Sequence, residues 1–274
     1  MTKTGNLRKM RTELAKPVNY SLVLNEDTVP LNPVIGRELQ LTFTGTINCI
    51  HCGRNTKKSF NQGYCYPCFT RLAQCDSCIV KPEKCHYDQG TCREPEWGEA
   101  NCFQPHYVYL ANSSGLKVGI TRHNQVPTRW IDQGAVAAVP VMRVTSRQIS
   151  GLMEVAFKDY VADKTSWQKM LKGVAEPVDL LARRDELLEQ VQPSVDILRE
   201  RFGDDALELL PDAEVVEIEY PVLNYPTKVK SLNFDKDPVV QGLLQGIKGQ
   251  YLIFDNGVIN LRKFGGYEVK VDHA

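Results

Sequence analysis

Nine cysteines lie between Cys49 and Cys102, and the rest of the 274-residue chain contains none. A cluster of this kind is more typical of metal binding than of disulfide pairing when the thiols stay reduced. The N-terminal segment carries Lys and Arg but no following apolar core, so no secretory signal is predicted. No apolar run approaches the roughly 18 residues of a membrane-spanning helix. We therefore expect a cytoplasmic protein with reduced cysteines.

The first four cysteines form two CxxC pairs, Cys49 with Cys52 and Cys65 with Cys68, separated by twelve residues. This spacing matches the four-cysteine zinc-ribbon pattern, in which two tight turns direct four thiolates at one ion. The site is expected to be structural, because four thiolates leave no open position for water. His51 lies inside the first pair and is expected to be exposed rather than a ligand.

The remaining cysteines form a second group in a segment with little apolar content, which needs a cross-link to fold. We predict a second zinc site here, with an iron–sulfur cluster as the alternative, since thiolates serve both. A third interpretation is that these thiols are simply small buried groups. One cysteine is left over, and Cys75 is the expected one. The predicted ligands are Cys78, Cys85, Cys92 and Cys102.

Both ends of the chain are predicted to be rich in strands. Val18–Leu24 and Glu38–Ile47 alternate apolar with polar residues, which is the pattern of half-buried strands. Tyr251–Leu261 predicts a hairpin with its turn at Asp255-Asn256-Gly257. The two ends are either separate or closed together into one small barrel with everything else inserted between them.

The formal net charge of zero is the sum of very unequal segments. Residues 103–172 carry nine basic and four acidic side chains, whereas residues 173–220 carry four and fourteen. A uniformly basic surface is excluded, but a basic face near Lys117 and Arg129 is predicted. The acidic segment has helical spacing of its leucines, and Pro193 is predicted to begin a second helix within it.

The basic middle segment predicts a small antiparallel sheet followed by a helix. Tyr107–Leu110 and Leu116–Thr121 are short strands on either side of an Asn-Ser-Ser-Gly turn, so they form a predicted hairpin. Arg147–Lys164 has an apolar stripe at helical spacing.

Residues in this segment resemble the GIY-YIG endonuclease superfamily over about residues 105–172. In that superfamily two strands form a hairpin, an arginine follows on a helix, and a metal-binding glutamate follows on a later helix. The form with a lysine in place of the second tyrosine resembles one branch of the superfamily. The matching positions are Tyr107-Val108-Tyr109, Lys117-Val118-Gly119, Arg129 and Glu154.

The resemblance implies a role for each residue in phosphodiester hydrolysis. Tyr109 would orient or deprotonate the attacking water, and Lys117 would lower the pKa of its neighbour or contact the phosphate. Arg129 would clamp the scissile phosphate through its planar guanidinium. Glu154 would hold one Mg²⁺ or Mn²⁺ ion that keeps most of its waters. Gly119 would allow close packing of the backbone.

The pattern departs from the superfamily at Tyr107, where a glycine is usual, and near Gln133, where many members carry histidine. The whole chain, with its cysteine-rich segment before this module, also resembles the domain of unknown function 2797 family. That second resemblance implies no particular activity.

Together these patterns predict an α+β protein in five parts. From the N-terminus these are a β-rich part (residues 1–48), a Cys-rich zinc-binding region (49–104), the GIY-YIG-like module (105–172), an acidic helical segment (173–212) and a C-terminal β-rich part (213–274).

Three functions fit this organisation. The first is a Mg²⁺-dependent nuclease acting on DNA or RNA, and the second is a catalytically inactive zinc-bearing protein that binds nucleic acid. The third is an adaptor whose acidic helices dock a basic protein partner. Nucleic acid is favoured as the partner because the middle segment is basic and Tyr64, Tyr66 and Phe69 are available to stack on bases.

Overall fold

The computed structural model describes residues 2–161, 166–173 and 175–273. These residues form fourteen strands and six α-helices, which confirms the predicted α+β class. The strands are β1 (Thr2–Asn6), β2 (Arg11–Glu13), β3 (Asn19–Leu24), β4 (Asp27–Pro30), β5 (Glu38–Ile47), β6 (His106–Asn112), β7 (Leu116–Arg122), β8 (Ala137–Val144), β9 (Leu207–Leu209), β10 (Val216–Glu217), β11 (Val239–Lys248), β12 (Tyr251–Phe254), β13 (Gly257–Asn260) and β14 (Tyr267–His273).

The helices lie mainly in the middle of the chain. They are α1 (Tyr66–Arg71), α2 (Pro95–Cys102), α3 (Thr128–Asp132), α4 (Arg147–Lys158), α5 (Trp167–Leu171) and α6 (Leu180–Phe202). Between α1 and α2 the chain makes short 3₁₀ turns at Ala73–Cys75, Ser77–Ile79, Pro82–Lys84 and Tyr87–Gln89.

Strands from the two ends of the chain pair in one antiparallel sheet, in the order β1-β14-β5-β11-β12-β13. Among the described residues this sheet is open, with β1 and β13 at its edges, so the closed-barrel alternative is wrong. The sheet does not need to close on itself, because its apolar side chains share a core with Leu22 of β3 and with Trp130 and Ile131 of α3. The predicted hairpin of β12 and β13 is confirmed.

A second sheet, in the order β10-β8-β6-β7 with β9 also pairing β8, lies in the middle of the chain. It contains the predicted β6–β7 hairpin. One of its faces packs against α4 and α6, through a core that includes Val108, Val118 and Phe157. The alternate residues of β6, Tyr109 and Ala111, belong instead to the core shared with the first sheet. The hairpin is therefore covered on both faces.

Helix α4 is shorter than predicted, since it ends at Lys158, and residues 162–164 of the predicted helix lie outside the described residues. The acidic segment forms one helix, α6, and the prediction of a new helix at Pro193 is wrong. Proline usually interrupts a helix by removing one backbone donor. Here Val191 and Val195 are buried on either side of Pro193, and their burial keeps the helix continuous. No helix among the described residues is both long and apolar enough to cross a membrane.

Candidate functional site

The sulfur atoms of Cys49, Cys52, Cys65 and Cys68 all lie within 4.8 Å of one another. The Sγ atoms of Cys52 and Cys65, which come from different CxxC pairs, are 3.8 Å apart. Four thiols at this separation match the tetrahedral ligand set that zinc prefers. These four cysteines could therefore hold a metal ion such as zinc.

Local backbone structure explains how each pair presents its thiols. In the first pair the amide of Gly53 donates a hydrogen bond to the carbonyl oxygen of Cys49 at 2.9 Å, closing a tight turn. The φ angle of Gly53 is +72°, a conformation that favours glycine. In the second pair Cys65 is the N-cap of α1, and Cys68 lies in its first turn. The two pairs thus approach each other from a turn and from the start of a helix.

The thiols of this cluster differ strongly in acidity. A backbone hydrogen bond from Arg54, assisted by neighbouring cysteines, lowers the pKa of Cys52 to about 6. Burial, reinforced by the neighbouring thiols, raises the pKa of Cys68 to about 12. Because a metal ligand must be a thiolate, Cys52 is the group most ready to bind first.

Two residues beside this cluster stand outside the ligand set. His51 is exposed, and Cys75 is buried against the cluster without joining the group of four close sulfurs. The other predicted ligands, Cys78, Cys85, Cys92 and Cys102, line one small cavity.

A further group is formed by Asp76, Cys78 and His86, whose ligand atoms lie within 4.8 Å of one another; of these, sequence analysis predicted only Cys78 as a ligand. The spacing of Asp76 and His86 offered no motif.

Tyr109 of β6 is fully buried, and its hydroxyl donates a hydrogen bond to Oε1 of Gln133 at 2.8 Å. Its ring meets that of Trp130 edge to face, with centroids 5.9 Å apart. Burial raises the pKa of Tyr109 to about 12, while Arg129 opposes the rise and Glu154 adds to it. Tyr109, Arg129 and Glu154 are therefore close enough for their charges to act on one hydroxyl.

Lys117 lies on β7, on the same face of the hairpin as Tyr109. Lys117 lies opposite Ala111 of β6, and Ala111 is two residues after Tyr109 on that strand. Side chains two residues apart on one strand share a face of the sheet. Lys117 is only 3 % exposed, so it is a buried side chain rather than the solvated lysine that its residue type suggests.

Arg129 lies on α3, which is fixed at its end by Asp132. The Asp132 carboxylate is 2.5 Å from Nζ of Lys9 and 3.8 Å from Nη1 of Arg262, and it accepts a hydrogen bond from Gln250 at 2.9 Å. These partners come from the N-terminal and C-terminal parts of the chain. The short helix that carries Arg129 is thus tied to both ends of the chain by one carboxylate.

Glu154 lies on α4, with its side chain 15 % exposed and its carboxylate 3.6 Å from Nζ of Lys158. The N-terminal end of the same helix carries Arg147, which donates a hydrogen bond to the carbonyl oxygen of Ile79 at 2.6 Å. Sequence analysis missed Asp132 and Arg147 as parts of this site, because no motif marks them. It gave Gln133 only as a departure from the superfamily pattern, and the folded chain brings this residue to Tyr109.

These observations define an α+β protein that combines a four-cysteine cluster with a buried tyrosine flanked by basic and acidic side chains. The chain belongs to the family described as protein of unknown function DUF2797, whose family model matches residues 36–269. It has no significant match among curated proteins or among solved structures. The resemblance of residues 105–172 to GIY-YIG endonucleases stays a prediction.

Proposed function

We propose that the chain binds nucleic acid at the surface around Arg129 and hydrolyses phosphodiester bonds there. The observation that carries this proposal is that Arg129 and Glu154 both act on the hydroxyl of Tyr109. A guanidinium, a carboxylate and a phenol in one place supply a phosphate clamp, a cation ligand and a polar group for water. These are the parts that phosphodiester hydrolysis requires.

The charge around Arg129 also supports an anionic substrate. Burial lowers the pKa of both Arg147 and Arg262, and the charge of Arg129 lowers each one further, although Cys102 opposes the fall at Arg147 and Asp132 opposes it at Arg262. Arg122 acts on Arg147 in the same direction. Like charges held this close together repel one another, and a polyanion such as nucleic acid relieves that repulsion.

The divalent cation belongs at Glu154 in this proposal. Mg²⁺ is commonly held by one or two carboxylates together with substrate phosphates and waters, so a single glutamate satisfies the minimum. When bound, the ion supplies neutralisation of charge on the phosphate and on the leaving oxygen. Glu154 must then share its carboxylate between the ion and Lys158.

The remaining residues act by positioning and charge. With a pKa of about 12, Tyr109 is protonated at neutral pH, so it orients a water by hydrogen bonding rather than by taking its proton. Gln133 accepts the hydroxyl hydrogen, and the side chain of Arg129 also interacts with the hydroxyl. Arg129 clamps the phosphate, and Lys117 lies on the same face of the hairpin as Tyr109.

A second candidate is a protein that binds nucleic acid without cleaving it. Its support is the complete burial of Tyr109 and the near-complete burial of Lys117. A hydroxyl that meets only protein atoms cannot touch a water or a phosphate until the site opens. In this second function both side chains are parts of the core.

Binding and cleavage assays test the two candidates together. Purified protein is incubated with labelled single-stranded, duplex and branched DNA and RNA in Mg²⁺ or Mn²⁺. The nuclease proposal expects cleavage that Glu154→Gln abolishes and that the control Glu200→Gln, an exposed glutamate on α6, leaves intact. Binding without cleavage supports the second candidate and overturns the first. In that case Arg129→Ala should reduce the salt dependence of binding by about one counterion.

A further inference from the structure

Four cysteines that lie outside the first cluster line one cavity of about 20 Å³. They come from separate parts of the chain between α1 and β6, and the cavity is closed on its other sides mainly by Tyr87, Trp97 and Phe103. A space of about this volume holds a single water molecule or a single ion. The four cysteines are Cys78, Cys85, Cys92 and Cys102.

The segment that carries these cysteines has a small core, since Pro82 and Gly98 are the only buried residues between positions 77 and 105. It consists of short 3₁₀ turns and the eight-residue helix α2. The rings of Tyr87 and Phe103 meet edge to face, with centroids 4.7 Å apart. A segment with so thin a core depends on a cross-link for its fold.

The neighbouring carboxylate and imidazole already have partners. Asp76 lies 2.8 Å from Nε of Arg93, and it also accepts a hydrogen bond from the amide of Ser77. Nδ1 of His86 is hydrogen-bonded to Thr91 at 2.8 Å, and its Nε2 lies 3.5 Å from Oδ2 of Asp76. The thiols are therefore the more available ligands, although Asp76, Cys78 and His86 lie near one another.

The four thiols line the same small cavity, and soft thiolates favour zinc. Unlike the first cluster, these sulfurs do not form a group within 4.8 Å, so the segment must contract around an ion.

We propose that Cys78, Cys85, Cys92 and Cys102 bind a second zinc ion, which fastens the cysteine-rich segment to the helix that carries Glu154. Two contacts join these turns to α4. In the first, Arg147 donates a hydrogen bond to the carbonyl oxygen of Ile79, one residue after Cys78. A Cβ at Gly151 would come within 2.6 Å of Pro82 in the next turn. An ion that holds these turns in place therefore also holds α4.

Metal analysis of the 274-residue chain tests this proposal independently of any enzymatic activity. Wild type is expected to contain two zinc ions per chain, and Cys52→Ser and Cys85→Ser are each expected to contain one. X-ray absorption at the zinc edge, measured on wild type, should give four sulfur ligands at about 2.3 Å for both ions. This measurement needs no variant, so it holds even if Cys85→Ser fails to fold.

Three results overturn the proposal. One is a single zinc ion in wild type, and another is a nitrogen or oxygen ligand at the second ion, which would assign it to Asp76 and His86. The third is a brown protein containing iron, which would assign the four cysteines to an iron–sulfur cluster.

Hydrogen exchange tests whether the ion stabilises the contact between the cysteine-rich segment and α4. Amide exchange in α4 should be faster in Cys85→Ser than in wild type, and unchanged in the control Cys75→Ser.

Discussion

Gly119 lies directly opposite Tyr109 in the β6–β7 hairpin, and a Cβ atom at position 119 would come within 2.6 Å of the Tyr109 hydroxyl oxygen. Real Cβ atoms do not approach other atoms this closely, so the glycine creates the space that the tyrosine ring fills. The hydroxyl then reaches Gln133 across that space. The placement of Tyr109 thus depends on the absence of a side chain on the neighbouring strand.

Replacing this glycine should therefore destabilise the hairpin. Gly119→Ala is expected to lower the free energy of unfolding by about 1–3 kcal/mol, because the ring of Tyr109 is buried and has little room to move. Urea unfolding measures this loss. If the clash is the cause, the double variant Tyr109→Ala/Gly119→Ala loses less than the sum of the two single losses. Strict additivity would contradict the explanation.

The first cysteine cluster predicts a selective effect of substitution on metal content. Cys52→Ser should remove one zinc ion per chain, because serine cannot replace the thiolate of a four-sulfur site. Cys75→Ser is the matched control, since Cys75 is buried against the same cluster but lies outside the four close sulfurs. Elemental analysis compares the two variants. Equal metal content in both would show that Cys52 is not a ligand.

The buried carboxylate of Asp132 should stabilise the attachment of α3 to the two ends of the chain. Asp132→Asn is expected to lower the free energy of unfolding by about 2 kcal/mol. This is less than the loss expected on breaking a fully buried ion pair, because Lys9 and Arg262 are each about one third exposed. Thermal unfolding measures the loss. The exposed Asp212→Asn serves as the control and should change stability by less than about 0.5 kcal/mol. A similar loss in both variants would mean that the ion cluster contributes nothing specific.

His106 predicts a loss of stability in acid. Burial, with added effects of Arg147 and Arg122, lowers the pKa of His106 from 6.5 to about 4. Between these values the unfolded chain binds more protons than the folded chain, so stability falls as the pH drops from about 6.5 towards 4. Over this pH range the free energy of unfolding should fall by about 3 kcal/mol.

Urea unfolding at pH 7 and pH 4.5 measures this effect in wild type and in His106→Gln. The variant should lose less stability than wild type by roughly 2 kcal/mol, because it lacks the titrating group. Carboxylates and metal-binding thiols titrate in both proteins, so the difference between them isolates His106. The same pH dependence in both proteins would rule out the proposed role of this histidine.

The sequence predicted well those features that depend on local pattern. The CxxC spacing identified a cluster whose sulfurs come together, and strand alternation identified β5 and both hairpins. At Pro193 two local signals conflict, since the proline favours a break whereas Val191 and Val195 recur at helical spacing across it. The burial of both valines outweighs the proline, and local pattern alone does not show which signal prevails.

The candidate site shows the same limit. Tyr109, Lys117, Arg129 and Glu154 could be chosen from an ordered pattern, but the pattern does not show that Lys117 is buried. Asp132 has no sequence signal at all, because its partners lie more than 100 residues away in the chain. Long-range ion pairs of this kind depend on how the open sheet packs against α3, which local periodicity does not report.

The most direct test of the proposed nuclease is the single-turnover rate of cleavage of labelled nucleic acid by the zinc-loaded 274-residue chain in Mg²⁺. We predict cleavage by wild type and a loss of at least about 100-fold in both Arg129→Ala and Glu154→Gln, since the first removes the guanidinium that contacts the phosphate and the second removes the charged ligand of the cation. The double variant should be little slower than either single variant, because the two residues act in one site. Absence of cleavage by wild type on every substrate, or wild-type rates in either variant, would contradict the proposal.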